Sequence, residues 1–314
     1  MYIEAVNSVL TINDDIIVMD YRDITKEEYE KFFTFCENVG FEENYATYEQ
    51  YKNIKQRYKA NNLVETEGII EKQRIVKDEE EINKIRKACE ITDNCFTHLL
   101  SYIKTGMTEK QIALEIEMYF KTHGADGVSF DPIVAIGENS SIPHWIPGDR
   151  KVEMADPILI DMGCKYEGYC SDMTRTIFMG CILEEIKPVY DLALKNLELS
   201  TKEITDGYTI KTAANMVESD FKVNGYNLIH ALGHGVGLEV HELPFIRLKN
   251  EANFKENMVI ADEPGIYLPG KYGIRIEDTL LVTKDGSERL TKSERGYVVT
   301  VSYTHLRAHE TGAY

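Results

Sequence analysis

The chain has 314 residues, 43% of them hydrophobic and 28% charged, which is the composition of a globular protein with one large or two unequal domains. Its 35 basic and 53 acidic residues give a formal net charge of -18, which disfavours nucleic acid and anionic membranes as partners. Apolar runs stay short of the roughly 20 residues of a membrane span, and no secretory signal is recognised. Six cysteines without a Cys-x-x-Cys pair complete the prediction of a cytoplasmic protein with free thiols.

Residues 1–71 are predicted to form a small α/β domain. Residues 12–19 alternate in polarity as a strand does, and residues 25–38 and 47–59 have helical periodicity. Residues 40–42 are interpreted as the link between these two helices.

Residues 72–300 form a second predicted region that opens with a long amphipathic helix over residues 77–103, which Gly106 ends. Thr108 and Gln111 form a capping box that begins the next helix. The remaining predicted elements are a strand at residues 132–136 and helices at residues 184–204 and 210–223.

Apolar segments of this region each carry one acid. A run that contains Asp161 is followed by a turn at residues 166–168 and by a return run that carries Asp172. The pattern repeats later with Glu263 and Glu277. Two predicted helices precede each pair of acids, which indicates an internal duplication of helices plus hairpin around one site.

The acids and one histidine form a candidate ligand set for metal ions: Asp161, Asp172, His234, Glu263 and Glu277. An inward-pointing carboxylate among Ile and Leu neighbours has to be neutralised, because an unpaired buried charge is costly. Oxygen-rich ligation with one imidazole favours Mn(II), Fe(II) or Co(II), with Zn(II) as an alternative. Two divalent ions balance four carboxylates, and such a pair, roughly 3.5 to 4 Å apart, generates a nucleophile and polarises a carbonyl.

Taken singly, each acid is also compatible with a surface charge, because 53 of the 314 residues are acidic. Asp278 and Glu242 are interpreted in that way. A histidine in a Gly-rich turn can likewise be an ordinary polar residue, and His98 and His123, which lie in helical stretches, are interpreted as structural. The joint occurrence of the acids and the His-rich turn favours the metal site.

Three segments, GYCSDMTRT, GHGVGLEVHE and EPGIYLPGKYGIRIEDT, resemble the pita-bread metallopeptidases, which include prolidase, aminopeptidase P, methionine aminopeptidase and creatinase. The resemblance extends from about Glu71 to about Val299 and is strongest to the proline-specific branch. It implies an α+β pita-bread fold, in which helices cover a curved antiparallel sheet with an internal pseudo-twofold duplication. Residues 1–71 resemble the later half of the family's longer N-terminal domain, so a truncated creatinase-type domain is expected there.

The resemblance also implies roles for the ligands. Asp161 would chelate one ion, and His234 and Glu263 the other. Asp172 and Glu277 would bridge both ions. Glu263 is in addition a candidate proton shuttle to the leaving nitrogen.

Further residues are implied to act on the substrate or on the ligands. His241 would hydrogen-bond the developing oxyanion. His144 and His230 would shape the subsite around the substrate's proline and its carbonyl. Arg275 would orient the ligand carboxylates.

The resemblance implies an exopeptidase that uses a hydroxide bridging two divalent ions, with Mn(II) favoured, to hydrolyse the bond between an N-terminal residue and proline. The expected partner is a peptide with proline at its second position, and a homodimer is considered. Dipeptides and longer peptides both remain as substrates. A methionine aminopeptidase-like enzyme and a metal-free peptide-binding pseudoenzyme on the same fold remain as alternatives.

Residues 301–314 contain VSYTHLRAHET, which matches a conceptual translation of a transposase-type sequencing adapter. We expect this tail to be an artefact outside the fold, so that His305 and His309 are not ligands. Because the first domain also starts midway, a fragment cut at both ends is expected.

Overall fold

The structure is a computed structural model that describes residues 25, 27, 37–58 and 60–300. The chain divides into two compact units, Met1–Ile70 and Glu71–Tyr314. The strand predicted at residues 12–19, most of the helix predicted at residues 25–38 and the tail at residues 301–314 lie outside the described residues.

In the first unit a helix connects two parallel strands: β1 (Asn38–Glu42), α1 (Tyr48–Arg57) and β2 (Asn62–Thr66). The helix confirms the periodicity at residues 47–59. The interpretation of residues 40–42 as a link is wrong, because Val39 and Phe41 are half-buried and alternate with exposed neighbours along a full ladder to β2.

The chain continues with α2 (Ile69–Arg74) and two pairs of long helices, which are α3 (Glu79–Tyr102) with α4 (Glu109–Thr122), and α5 (Lys187–Glu203) with α6 (Ile210–Val223). Thr108 and Gln111 form the predicted capping box at the start of α4. The first long helix ends at Tyr102, before Gly106 is reached. Across the described ranges, the helices fall short of the length and apolarity that a membrane crossing needs.

Each helix pair is followed by a sheet. The first contains, in spatial order, β4 (Ile133–Ile136), β5 (Pro157–Met162), β8 (Met173–Met179) and β16 (Val299–Thr300). The second contains β10 (Glu242–Ile246), β9 (Gly233–Gly235), β11 (Val259–Asp262), β14 (Asp278–Thr283) and β15 (Gly286–Arg289). The antiparallel series β4-β5-β8 and β9-β11-β14 match the duplication that the sequence predicts.

Two small sheets complete the second unit. One contains β3 (Gly127–Val128), β6 (Cys164–Tyr166) and β7 (Tyr169–Cys170), and the other contains β12 (Gly265–Leu268) and β13 (Tyr272–Arg275). The turn predicted at residues 166–168 is present, with φ of 47° at Glu167 and 83° at Gly168.

The helix pairs cover one face of the sheets. Leu99 of α3 shares a buried cluster with Ile160 of β5, and Phe221 of α6 shares another with Ile260 of β11. Burying a side chain of this size contributes roughly 1.5–3 kcal/mol. Because successive side chains of a strand point to opposite faces, Asp161 points away from the helices.

Strand β9 lies very close to β11. A Cβ atom added to Gly233 would lie 1.9 Å from the carbonyl oxygen of Ala261. The next residue along, His234, pairs with Ala261 in the ladder. Glycine is therefore required for the approach that fixes the position of His234.

We expect Gly233→Ala to lower the free energy of unfolding by about 1–3 kcal/mol, because the added methyl group forces β9 and β11 apart. Gly127→Ala is the matched control, since no described atom lies within 4 Å of the added Cβ. For this variant we expect a change of no more than about 0.5 kcal/mol. Urea unfolding followed by circular dichroism measures both variants, and equal losses would contradict the close packing.

Candidate metal centre

Five side chains from separate elements converge in the second unit, at Asp161 in β5, Asp172 before β8, His234 in β9, Glu263 after β11 and Glu277 before β14. The sequence pattern assigned each acid to a strand. Three of the acids instead occupy breaks where one strand ends and the next begins. At such breaks a side chain can turn toward the site without keeping the strict alternation of a strand.

The imidazole lies among the carboxylates. Ligand atoms of Asp172, His234 and Glu277 all lie within 4.8 Å of one another, and these residues are buried. His234 Nε2 is 3.6 Å from Asp172 Oδ2 and 3.7 Å from Glu263 Oε1. The geometry therefore brings three of the predicted carboxylate ligands, Asp172, Glu263 and Glu277, together with the fourth ligand, the His234 ring.

The fifth predicted ligand, Asp161, joins the group through Arg275. Arg275 Nη2 donates to Asp161 Oδ2 over 2.7 Å, and Arg275 Nε lies 4.0 Å from Glu263 Oε2. The Nε atom donates to Thr174 Oγ1 over 3.0 Å, and that hydroxyl donates to Glu277 Oε2 over 2.6 Å. One guanidinium thus contacts or connects three of the four carboxylates.

Burial and mutual repulsion make the carboxylates hard to ionise. Burial, followed by the neighbouring acids, raises the pKa of Asp172 and Glu263 well above the usual range. The same causes, with Asp161 as the largest repelling charge, raise the pKa of Glu277 to about 8. The cluster therefore holds protons near neutral pH unless cations replace them.

The donor set fits divalent cations. Asp161 Oδ1 is buried, and no described residue donates a hydrogen bond to it. His234 Nδ1 donates to the Gly235 carbonyl over 3.1 Å, which leaves the Nε2 lone pair directed at the carboxylates. Burial lowers the pKa of His234 to about 3, so the ring is neutral and able to ligate.

The other predicted histidines surround this group. The His241 ring centroid is 4.3 Å from that of His234, and His241 is exposed. His230 Nε2 lies 3.0 Å from the Tyr267 hydroxyl. Burial lowers the pKa of His230 to about 4, and the nearby Arg275 and His144 lower it further by smaller amounts. His144 itself is exposed.

Sequence reasoning missed Tyr267 and Thr174. The Tyr267 hydroxyl accepts from Arg275 Nη1 over 2.7 Å and can donate to His230, so it joins the ligand side of the site to the histidine side. Tyr267 lies in the segment EPGIYLPGKYGIRIEDT and Thr174 lies in GYCSDMTRT, and membership of these motifs is the signal that could have drawn attention to them. Their partners become visible only when the strands are paired.

The interpretation of Asp278 and Glu242 as surface charges is wrong. Asp278 has no exposed surface and accepts from Arg175 Nη2 over 2.6 Å. Glu242 is buried and accepts from Lys77 Nζ over 2.5 Å. Both acids are neutralised by cations that are remote in sequence, and composition alone could not identify those partners.

His98 and His123 belong to the helical layer. His98 Nε2 lies 2.7 Å from Glu115 Oε1, and His123 forms the C-cap of α4. These contacts agree with the structural interpretation of both residues.

Comparisons with known proteins agree with this architecture. Residues 83–284 match the model of metallopeptidase family M24, and residues 2–76 match that of the creatinase/prolidase N-terminal domain. The chain is 39% identical over 261 residues to the Xaa-Pro dipeptidase of Pyrococcus furiosus, a match that covers 82% of this chain and 75% of that protein.

Solved structures give the same result. The X-Pro aminopeptidase of Thermotoga maritima is similar with a TM-score of 0.80 and 38% identity, over 83% of this chain and 75% of that one. The Xaa-Pro dipeptidase of Bacillus anthracis is similar with a TM-score of 0.81 and 36% identity, over 83% of this chain and 74% of that one. These matches confirm the predicted pita-bread fold, and the chain belongs to metallopeptidase family M24.

Proposed function

We propose that this protein is a metal-dependent exopeptidase that hydrolyses the bond between an N-terminal residue and proline. The observation that carries the proposal is the cluster of three carboxylates around one neutral imidazole, with the fourth carboxylate, Asp161, joined to the cluster through Arg275. Relatives named Xaa-Pro dipeptidase and X-Pro aminopeptidase support the same substrate class. The substrate is a peptide with proline at its second position.

Two divalent ions, Mn(II) in the first place, would be held by Asp161, Asp172, His234, Glu263 and Glu277. Two ions together with Arg275 compensate all four carboxylate charges, whereas one ion with Arg275 leaves one of these charges buried without compensation. When bound, they supply a water of lowered pKa as the nucleophile and polarise the carbonyl of the scissile bond. Arg275 keeps the carboxylates in place through its contacts with Asp161 and Thr174.

Two residues are proposed to assist bond cleavage. His241 keeps an exposed edge beside the ligand ring, and the partial loss of solvent around its imidazole lowers its pKa, so a neutral ring can donate a hydrogen bond to the oxyanion. Glu263 combines a raised pKa with a partly exposed side chain, which suits a group that takes a proton and passes it to the proline nitrogen.

The proline side of the substrate is proposed to lie against His144 and His230. Tyr267 holds His230 in place through the hydroxyl contact, while Arg275 in turn donates to Tyr267. The family's substrate subsite would then be fixed by the same guanidinium that fixes the ligands.

A reducing, cytoplasmic location is also proposed, because Cys89, Cys95, Cys164 and Cys170 are buried free thiols. Residues 1–71 and 72–300 are proposed as N-terminal and catalytic domains. The homodimer stays a prediction.

Chelation of the metal-loaded enzyme should abolish hydrolysis of Ala-Pro, and added Mn(II) or Co(II) should restore it. Asp172→Asn should reduce kcat by at least about a thousandfold with any metal, because one charged ligand is lost. Asp126→Asn, a change on the loop before β3, is the matched control and should keep full activity. Hydrolysis that withstands both chelation and Asp172→Asn would contradict the proposed function.

A substrate panel separates the alternatives. We expect cleavage of Ala-Pro, Ala-Pro-Ala or both, with Met-Ala-Ala at least about a hundredfold slower in kcat/KM, because proline fits the subsite of His144 and His230. Chromatographic analysis of the released amino acid gives each rate. Preference for Met-Ala-Ala would indicate a methionine aminopeptidase, and binding without cleavage of any peptide would indicate a pseudoenzyme.

The pKa of Glu277 gives the metal-free protein a defined pH dependence. The folded pKa of about 8 lies above the ordinary value of 4.5, so between these pH values the folded state binds a proton that the unfolded chain releases. The contribution of Glu277 to stability therefore falls as pH rises through this window. Glu277→Gln removes this titration while an amide oxygen can still accept from Thr174.

We expect the melting temperature of Glu277→Gln, relative to the unsubstituted protein, to rise between about pH 5 and pH 8 in chelator. With saturating Mn(II) we expect the unsubstituted protein to melt at the higher temperature, because its Glu277 carboxylate then gains a cation and the amide of Glu277→Gln does not. Calorimetry at several pH values measures the difference. A difference that stays constant with pH in chelator would show that Glu277 is not neutralised by burial.

A further inference from the structure

A carboxylate outside the ligand set is fully buried at the start of α4. Glu109 has no exposed surface. Its Oε1 accepts from the Ile136 amide over 2.9 Å and from Asn139 Nδ2 over 2.8 Å. Its Oε2 accepts from Trp145 Nε1 and from the Gly148 amide, each over 2.8 Å. Four N–H groups thus converge on one side chain.

No lysine or arginine of residues 60–300 forms an ion pair with this carboxylate within the described contacts. Its charge is instead stabilised by the donated hydrogen bonds and by its place in the first turn of α4. A buried carboxylate without a cation is costly unless donated hydrogen bonds compensate for its lost hydration, and the four N–H groups supply that compensation.

All four donors belong to one segment, residues 136–148, which connects β4 toward β5. The same segment carries His144 and contacts the metal centre, since the Pro143 carbonyl accepts from Arg275 Nη1 over 3.2 Å. Ile136 is buried as the last residue of β4, but beyond it apolar burial does little to fix the segment, because Ile142 is 47% exposed and Ile146 is 83% exposed. Its position therefore depends on polar anchors, which are Glu109, Arg275 and the Gly273 amide that donates to Ser140 Oγ over 2.8 Å.

We propose that Glu109 is a positioning residue, which holds the 136–148 segment and thereby sets the place of His144 on the proline side of the site. The inference rests on the role of His144 in the proposed function. Glu109 does not touch the substrate. Through the segment it determines how well the substrate binds, while the ligands that activate the nucleophile are held by other contacts.

The test is Glu109→Gln, which keeps the shape of the side chain but turns an amide NH2 toward N–H donors, so that two hydrogen bonds are lost. Trp145 is the only tryptophan of the chain, so its fluorescence reports on the segment directly. We expect a red-shifted emission and stronger acrylamide quenching. For Ala-Pro we expect KM to rise about tenfold while kcat stays within about twofold.

Glu117→Gln is the matched control, because Glu117 lies on the same helix, is partly exposed and undergoes the same chemical change. It should leave fluorescence, KM and kcat unchanged. Unshifted fluorescence in Glu109→Gln would overturn the proposal, and so would a fall in kcat that merely follows the loss of folded protein.

His144→Ala separates this inference from the proposed function. If His144→Ala raises KM, the effect of Glu109→Gln on KM should vanish in the double variant, because both changes act through one side chain. An undiminished effect in the double variant would overturn the positioning role. If His144→Ala leaves KM unchanged, the proposed role of His144 fails, while the Trp145 fluorescence still decides whether Glu109 holds the segment.

Asn139→Ala removes one donor to Glu109 Oε1 and provides the same test if Glu109→Gln does not fold. Its fluorescence and KM should move in the same direction by a smaller amount. A variant that changes neither would contradict the proposal.

Discussion

The repulsion among four carboxylates in one pocket is the constraint on which the rest of this structure depends. Asp172 and Glu277 are almost completely buried, and their raised pKa values express how unfavourable their joint ionisation is. Arg275 compensates part of this charge through its contact with Asp161. The remainder calls for cations, which is why the same arrangement that disfavours an empty pocket suits a hydrolytic metal centre.

The fold supports the pocket from both faces of strand β8. Thr174 points to the ligands and donates to Glu277 Oε2, while Arg175, one residue on, points to the opposite face. There Arg175 donates to the backbone carbonyl of Glu277 and pairs with Asp278. Glu277 is therefore held by its side chain from the front and by its backbone from behind. This explains why the buried ion pair of Arg175 and Asp278 lies directly next to Glu277, a proposed metal ligand.

The sequence predicted much of the fold because the decisive signals were local. The helices at residues 184–204 and 210–223 appear almost as expected, and the capping box at Thr108 marks a true helix start. Periodicity and caps are read within a few residues. The strand at residues 38–42 is not evident from the sequence, because its pairing with β2 is not local.

The candidate site shows the same contrast between local and distant signals. Its ligand candidates lie in short motifs and could be named from the sequence. The hydrogen-bond donors to Glu109, Asp278 and Glu242 lie far away along the chain, so the sequence does not reveal the roles of these acids. Anomalous diffraction from crystals grown with Mn(II) would locate the ions. We expect two manganese peaks between the five proposed ligand side chains. A single peak, or peaks bound elsewhere, would contradict the proposed two-ion centre.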